Sequence, residues 1–170
     1  AKFIPCSCGN MAKRVRTHQP DFPPLPMQPR VSIIIVTYNL RGNYLAECFA
    51  ALRNLDYPDY EVIAVDNHSD DDTPSLLRKL CSGGKVILNQ VNRGFGGGCN
   101  DGAREASGQI LVFLNADTVV RRAWLRELVL PFLNDNRVAI TGCKMYFPGG
   151  CILQHAGGIL HGNGMTEHRG

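Results

Sequence analysis

At 170 residues, with 44% hydrophobic and 19% charged side chains, the chain has enough apolar material for one domain of ordinary size. A wholly disordered chain and a collagen-like repeat are excluded, and no uninterrupted apolar run approaches the roughly 20 residues needed to cross a bilayer. Eighteen Lys and Arg against fifteen Asp and Glu leave a net charge of +3. The basic excess gathers at the start, where Lys2, Lys13, Arg14, Arg16 and Arg30 face only Asp21. Few and dispersed, these charges read as a solvated arm rather than a contact for nucleic acid or anionic lipid.

Residues 1–30 hold six of the ten prolines, a density that blocks helices and sheets and predicts an extended arm. The start of the chain lacks the apolar stretch of a secretory signal. Cys6 and Cys8 form Cys-x-Cys with no second pair at zinc-finger spacing, and Cys48 and Cys81 fall at apolar helix positions, as buried thiols do. The seven cysteines suit a reducing compartment better than a disulfide scaffold.

The folded domain is expected from Val31. VSIIIVTY (31–38) is nearly continuously apolar and β-branched, as a strand buried on both faces should be. A helix follows with Leu45, Phe49, Leu52 and Leu55 on one stripe, then a strand EVIAVD (61–66). Asp72-Thr73-Pro74 opens a second helix, carrying Leu76, Leu77 and Leu80. KVILN (85–89) is a third strand, from which a glycine-rich stretch leads to a short helix near Cys99–Ser107. QILVFLN (109–115) is the fourth, its helix marked by Leu125, Leu128, Val129 and Phe132, and VAITGCKMY (138–146) reads as a fifth. Alternating strands and helices with short connections predict an α/β domain, a mostly parallel sheet with helices on both faces. In such sheets ligands bind beyond the carboxyl ends of the strands.

Four polar clusters fall at those ends. Thr37-Tyr38-Asn39 follows the first strand. Asp66-Asn67-His68-Ser69 ends the second, where Asp66 either accepts hydrogen bonds from a base or ribose or serves as a cap, a job that Asp70, Asp71 and Asp72 suit better. Asn92 to Asn100, with Arg93 and Gly94, joins a strand to a helix; its glycines allow close backbone approach and a helix start attracts anions. It is neither a P-loop nor a dinucleotide fingerprint, since Cys99 stands at the third glycine position and the loop follows the third strand. Asn115-Ala116-Asp117 sets two oxygen donors at i and i+2, suited either to a strand-end turn or to sharing a hard divalent cation with a diphosphate.

Taken in order, VSIIIVTYN, EVIAVDNHSDD, NRGFGGGCNDG and LVFLNADT resemble the family 2 glycosyltransferases of the GT-A fold. The resemblance implies that residues 31–170 form a Rossmann-like nucleotide-sugar-binding domain. Thr37, Tyr38 and Asn39 would line the base pocket, with Asp66 bonding the base and Asn67 beside it. Arg93, Gly94 and Asn100 would lie near ribose and diphosphate, and Asn115 and Asp117 would hold Mg²⁺ or Mn²⁺. Asn115 stands where the family has an aspartate, which removes one charge; the form with Asn first looks like the rhamnosyltransferase-type branch. His155 is a candidate contact to diphosphate or acceptor. The family's general base, an acidic residue, is expected beyond Gly170.

By the same resemblance, the donor would be a dTDP- or UDP-linked sugar and the acceptor a glycan or lipid-linked glycan. Transfer would go with inversion, in cell-surface polysaccharide synthesis. The expected place is the cytoplasm, at the inner face of the membrane, with no nucleic acid partner. The competing reading is a nucleotide-binding or assembly module of the same fold without chemistry. A nicotinamide oxidoreductase would need the glycine fingerprint after the first strand, where TYNLRGN does not supply it. A sugar nucleotidyltransferase would need a glycine-rich basic loop there, and Arg41-Gly42 is too little.

Overall fold

A computed structural model describes residues 28–40, 43–163 and 165–168. Most of the proline-rich arm, with Cys6 and Cys8, lies outside the described residues. Strand β1 (Val31–Thr37), helix α1 (Tyr44–Leu52), β2 (Tyr60–Asp66), α2 (Thr73–Leu80), β3 (Lys85–Leu88), α3 (Gly94–Arg104), β4 (Ile110–Asn115) and α4 (Trp124–Asn134) alternate along the chain. The four strands form one sheet in the order β3-β2-β1-β4, every pairing parallel. The chain proceeds outward from β1 to β3 and then returns to the other side of β1. The strand order therefore reverses between β1 and β4, the place where open α/β sheets bind ligands.

Both faces of the sheet are covered, as the continuous apolar runs require. On one face Val31, Ile33 and Ile35 of β1 and Val112 and Leu114 of β4 pack with Leu45, Phe49 and Leu52 of α1, Leu77 of α2, and Leu125 and Val129 of α4. On the other, Ile34, Ile63 and Val65 pack with Ala103 of α3 and Ala106 just beyond it. Leu111 and Phe113, on the α3 side of the edge strand β4, remain exposed. Cys48 and Cys81 are buried among the apolar side chains, as their helix positions predict.

Helix α3 starts earlier than expected. The glycine run is not a loop before a helix near Cys99–Ser107 but the first turns of a helix from Gly94 to Arg104. The cause is packing. A Cβ on Gly98 would lie 2.7 Å from Val36 Cγ1, and one on Gly102 would lie 2.5 Å from Ile34 Cγ2. These glycines, one helical turn apart, let the backbone of α3 lie directly on β1 and β2. Close contact with the sheet offsets the roughly 1 kcal/mol per residue that glycine costs a helix.

Two further expectations are corrected. Leu55 lies past the end of α1 at Leu52. The fifth strand over 138–146 shrinks to β5 (Met145–Tyr146), which pairs antiparallel with β6 (Leu153–His155) and not with the parallel sheet. Gly142 interrupts the pattern, Ile140 is 88% exposed, and Thr141 Oγ1 donates to Leu128 O at 2.9 Å. A β-branched run with nothing beside it to pair with does not hold as a strand. A second small hairpin joins β7 (Gly158–Leu160) to β8 (Thr166–His168).

The edge of the sheet where the strands begin is tied by Glu61. Its Oε1 accepts from Ser32 Oγ at 2.7 Å and from Ser107 N and Oγ at 2.7 and 2.8 Å. Ser32 Oγ in turn accepts from Gly108 N at 2.9 Å, and Arg30 lies 3.8 Å from Glu61 Oε2. Burial alone would raise the Glu61 pKa, but these donors and Arg30 overcome it and hold the carboxyl down to about 2. The arm's last residues also dock: Tyr57 OH donates to Pro29 O at 2.6 Å, and Gln109 N to Arg30 O at 2.8 Å.

Because the folded pKa lies below the unfolded one, Glu61 stabilises the fold fully above about pH 4.5. That contribution is lost as pH falls toward 2. In urea titrations from pH 6 to pH 2.5, Glu61→Gln should therefore flatten the acid loss of stability. The close approach of α3 yields a paired expectation. Gly102→Ala should lower the melting temperature, because overpacking costs about 1–3 kcal/mol against roughly 1 kcal/mol gained in helix propensity. Gly96→Ala, whose Cβ would meet nothing within 4 Å, should raise it; equal effects of the two would show that α3 does not press on the sheet.

Candidate functional site

The carboxyl ends of the four strands gather the expected clusters at one edge. Thr37 is buried, Asn39 is half-buried, and Tyr38 is 52% exposed beside the switch between β1 and β4. Register pairs Val36 with Asn115, so the ends of β1 and β4 lie side by side. Register also pairs Thr37 with Asp66. Two residues here have left-handed backbones, Asn39 (φ 47°) and His68 (φ 69°), a conformation that costs a residue other than glycine about 1–3 kcal/mol and concentrates at functional sites.

Asp66 holds this strained pair of loops. It is 2% exposed. Its Oδ2 accepts from Ser69 N at 2.9 Å, and its Oδ1 accepts from Ser69 Oγ at 2.6 Å and from Thr37 Oγ1 at 3.5 Å. Ser69 Oγ accepts from Asn39 N at 2.9 Å, and Asn39 Oδ1 accepts from Asp70 N at 3.0 Å. The loops after β1 and β2 are thereby closed on each other, with Asp66 beneath. The capping assigned to the acidic triplet falls to Asp71, whose Oδ1 accepts from Thr73 N at 2.9 Å; Asp72 occupies the cap position without a side-chain bond.

The Asn67 side chain is engaged within the protein. Nδ2 donates to Asn92 Oδ1 at 2.8 Å and to Gly94 O at 3.0 Å. Oδ1 accepts from Asn89 Nδ2 at 3.1 Å and from Arg93 N at 3.0 Å. A primary amide has two donor hydrogens and two acceptor lone pairs, and all four are used within the protein.

Arg93 keeps an exposed guanidinium, 48% accessible, with Nη1 2.8 Å from Asp101 Oδ1. Asp101 also takes Arg104 Nη1 at 2.7 Å and Asn89 Nδ2 at 3.0 Å. Asp101 and Asn89 are members of this bonded cluster that the sequence reading does not single out. The i, i+3 spacing of Asp101 and Arg104, both inside the expected helix near Cys99–Ser107, was the available signal. Asn100 lies two residues from both sheet-facing glycines, so it sits on the outward face of α3, exposed.

Strand β4 ends at Asn115, and Thr118 N donates to Asn115 O at 3.1 Å, so the next residues form a tight turn. Asp117 therefore reaches the edge from this turn rather than from strand alternation. Asn115 and Asp117 are exposed on either side of buried Ala116. They offer one amide and one carboxylate oxygen donor set, hard ligands of the kind Mg²⁺ and Mn²⁺ take. Among the described residues no three His, Cys, Asp or Glu side chains come together as a metal cluster. The pair fits a cation that draws its remaining oxygens from a diphosphate and water. His155 stands half-buried on β6, opposite Met145, in the small hairpin rather than in the parallel sheet.

A mostly parallel α/β sheet with polar loops converging at its switch point defines a GT-A-like fold. The match to Glycosyl transferase family 2 extends over residues 32–158, and the chain belongs to that family. The GalNAc(5)-diNAcBac-PP-undecaprenol beta-1,3-glucosyltransferase of Campylobacter jejuni is 30% identical over 135 residues, 77% of this chain and 41% of that protein. The O-antigen biosynthesis protein RfbC of Myxococcus xanthus is 35% identical over 149 residues, 85% of this chain and 12% of that protein. The chain thus spans less than half the length of these relatives. Among solved structures, the mannosyltransferase PcManGT from Pyrobaculum calidifontis in complex with GDP-Man and Mn²⁺ is similar with a TM-score of 0.61 and 30% identity, over 66% of this chain and 34% of that one. S. aureus TarS 1-349 in complex with UDP-GlcNAc is similar with a TM-score of 0.55 and 27% identity, over 62% of this chain and 31% of that one. Among the described residues no helix is long and apolar enough to cross a membrane.

The thiols report on how tightly this edge is underpinned. Cys48 of α1 is fully buried, and burial, with the Asp117 carboxylate adding to it, pushes its pKa up to about 11. Burial likewise raises Cys81 and Cys99, whereas Cys143 and Cys151 are exposed. Reactivity follows the thiolate and access to it. Alkylation of the native protein at pH 8, read by peptide mass spectrometry, should label Cys143 and Cys151 within minutes. Cys48 should be labelled only after unfolding; rapid native labelling of Cys48 would contradict its burial in the core.

Proposed function

We propose that the chain forms the nucleotide-sugar-binding part of an inverting glycosyltransferase of the rhamnosyltransferase-like branch. The observation that carries this is that Thr37–Asn39, Asp66, Arg93–Gly94 and Asn115–Asp117 all lie at or follow the carboxyl ends of the four parallel strands, at one edge of the sheet. In this reading residues 31–170 are the donor domain and residues 1–30 an appended arm. The base of a dTDP- or UDP-linked donor sits against Thr37, Tyr38 and Asn39, on the loops Asp66 holds. Ribose and diphosphate lie toward Arg93, Gly94 and Asn100, with His155 a candidate contact to diphosphate or acceptor. The fold supports this placement because the start of α3 and the end of β4 flank the same edge, and helix starts favour anions.

Asn115 and Asp117 would hold Mg²⁺ or Mn²⁺, which when bound stabilises the charge that develops on the leaving diphosphate. The acceptor hydroxyl, of a glycan or lipid-linked glycan in cell-surface polysaccharide synthesis, attacks the anomeric carbon from the face opposite the diphosphate. Its proton passes to a base. After Asp117 the acids are Glu127, Asp135 and Glu167; Asp135 is bound by Arg137 and Glu167 lies 3.4 Å from His161. We assign the base to a residue outside this chain, in the additional length that the relatives have. A cytoplasmic position at the inner face of the membrane agrees with the PP-undecaprenol named for the Campylobacter relative.

A thermal-shift panel of UDP, dTDP and GDP, with and without Mn²⁺, tests the reading. A ligand at roughly 100 times its dissociation constant adds about 2.7 kcal/mol of apparent stability. One nucleotide should stabilise the chain, more so with Mn²⁺. Asp117→Ala should remove the Mn²⁺-dependent part and leave most of the rest. Asp66→Ala should weaken binding with or without Mn²⁺. No shift with any nucleotide at millimolar concentration would refute the reading. Identical behaviour of the two variants would refute the division into base-side and metal-side residues.

A further inference from the structure

We propose that Asn67 is a positioning residue for the donor: it touches no ligand and instead fixes the turn that carries Arg93 and Gly94 to the binding edge. The proposal rests on the nucleotide-donor reading above and adds the element that shapes the phosphate side of that site. Asn67 is 2% exposed, and its main chain is anchored by donation from N to Thr37 O at 2.8 Å. The side chain reaches from the end of β2 across to the chain leaving β3. There it receives the Arg93 amide and donates to the Gly94 carbonyl.

Gly94 is the pivot of this turn. Its φ is +69°, in the left-handed region where a side chain is strained. Both of its backbone polar groups are held: O by Asn67 Nδ2, and N by Asn92 Oδ1 at 2.8 Å. Asn92 Oδ1 is itself the second acceptor of Asn67 Nδ2. Two asparagine amides thus clamp one left-handed glycine, and the turn can open only if both let go. The same Asn67 oxygen takes Asn89 Nδ2, which also donates to Asp101, the partner of the Arg93 guanidinium. The Arg93 main chain and side chain are both referred back to Asn67, one directly and one through Asn89 and Asp101.

The consequence for binding is preorganisation. The amides of Arg93 and Gly94 are taken by side-chain oxygens, so these two do not point at an anion; what the clamp presents is the exposed Arg93 guanidinium and the glycine-rich first turn of α3, Gly94 to Gly97. Were the turn loose, ordering it would be charged against nucleotide affinity. Asp66 and Asn67, neighbours in sequence, divide the edge: Asp66 closes the β1 and β2 loops, Asn67 the turn between β3 and α3.

Isothermal titration of whichever of UDP, dTDP and GDP the unaltered chain binds, at 20 °C and with Mn²⁺ present, tests this with three variants. Asn67→Asp keeps acceptors for Asn89 and Arg93 but sets oxygen against Asn92 Oδ1 and Gly94 O. Asn92→Ala, at an exposed position, removes the other half of the clamp with little risk to folding. Each should raise Kd by about tenfold, and the double variant by no more than either alone, the non-additivity of groups that act through one element. Backbone hydrogen exchange of Gly94 should quicken in both single variants. A role confined to stability would lower the melting temperature and leave Kd at 20 °C unchanged. Unchanged Kd in Asn92→Ala and Asn67→Asp, or strictly additive losses, overturns the positioning role while the donor reading stands. If the unaltered chain binds none of the three nucleotides, the donor reading falls and the positioning role falls with it.

Discussion

The close approach of α3 to the sheet governs the geometry of this protein. Gly98 and Gly102 put the helix backbone where a single methyl would collide with Val36 and Ile34. That contact fixes the height and direction of α3 over β1 and β2. Since α3 begins only four residues before Gly98, it also fixes where the helix starts relative to the strand ends. A larger residue at either position would force α3 or the strand side chains beneath it to shift. A shift of α3 would move the turn at Gly94 relative to the Asn67 amide. A core-packing constraint and a site constraint are here one constraint, and the glycines serve chiefly the first.

That is why the glycine run was legible in the sequence as important but was placed wrongly. Taken alone, Gly94, Gly96, Gly97 and Gly98 look like a loop, because glycine is a poor helix former. What makes them helical is a surface built from Ile34, Val36 and Val65, which lies some 30 to 60 positions away in the chain and which local propensity does not contain. The strands were read more accurately. Their runs are apolar on both faces, and that pattern needs no knowledge of partners to be recognised. The expected fifth strand failed for the complementary reason: VAITG has β propensity, but a strand exists only if a neighbour supplies the other half of its hydrogen bonds.

The site was legible to a similar depth. The four strand-end clusters come to one edge because alternating strands and helices leave a parallel sheet few other ways to fold. What the sequence did not reveal is which polar atoms are free. Asp66 and Asn67 look equivalent there, two polar residues closing an apolar strand. In the structure one anchors Ser69 and Thr37 and the other clamps Asn92 and Gly94, partners that depend on the meeting of three separate loops. Asp101 went unnoticed because its importance lies in gathering Asn89, Arg93 and Arg104, a relation that no single segment displays.

The two edges of the sheet have opposite characters, and each follows from its hydrogen bonds. Where the strands begin, Glu61 takes three short bonds from serines of the β1 strand and the α3–β4 connection, and its carboxyl is held at about 2. Where the strands end, Asn39 and His68 adopt left-handed backbones, and Tyr38, Asn115 and Asp117 are exposed. Strain of that kind is retained only where surrounding bonds over-determine the loop, and the bonds that do so here run through Asp66. The carboxylate at the starting edge lowers the free energy of the fold; the one where the strands end spends its bonds keeping a costly loop shape in place. Asp66 therefore couples the two demands, since any change that frees its oxygens for a ligand also loosens the loops against which that ligand would sit.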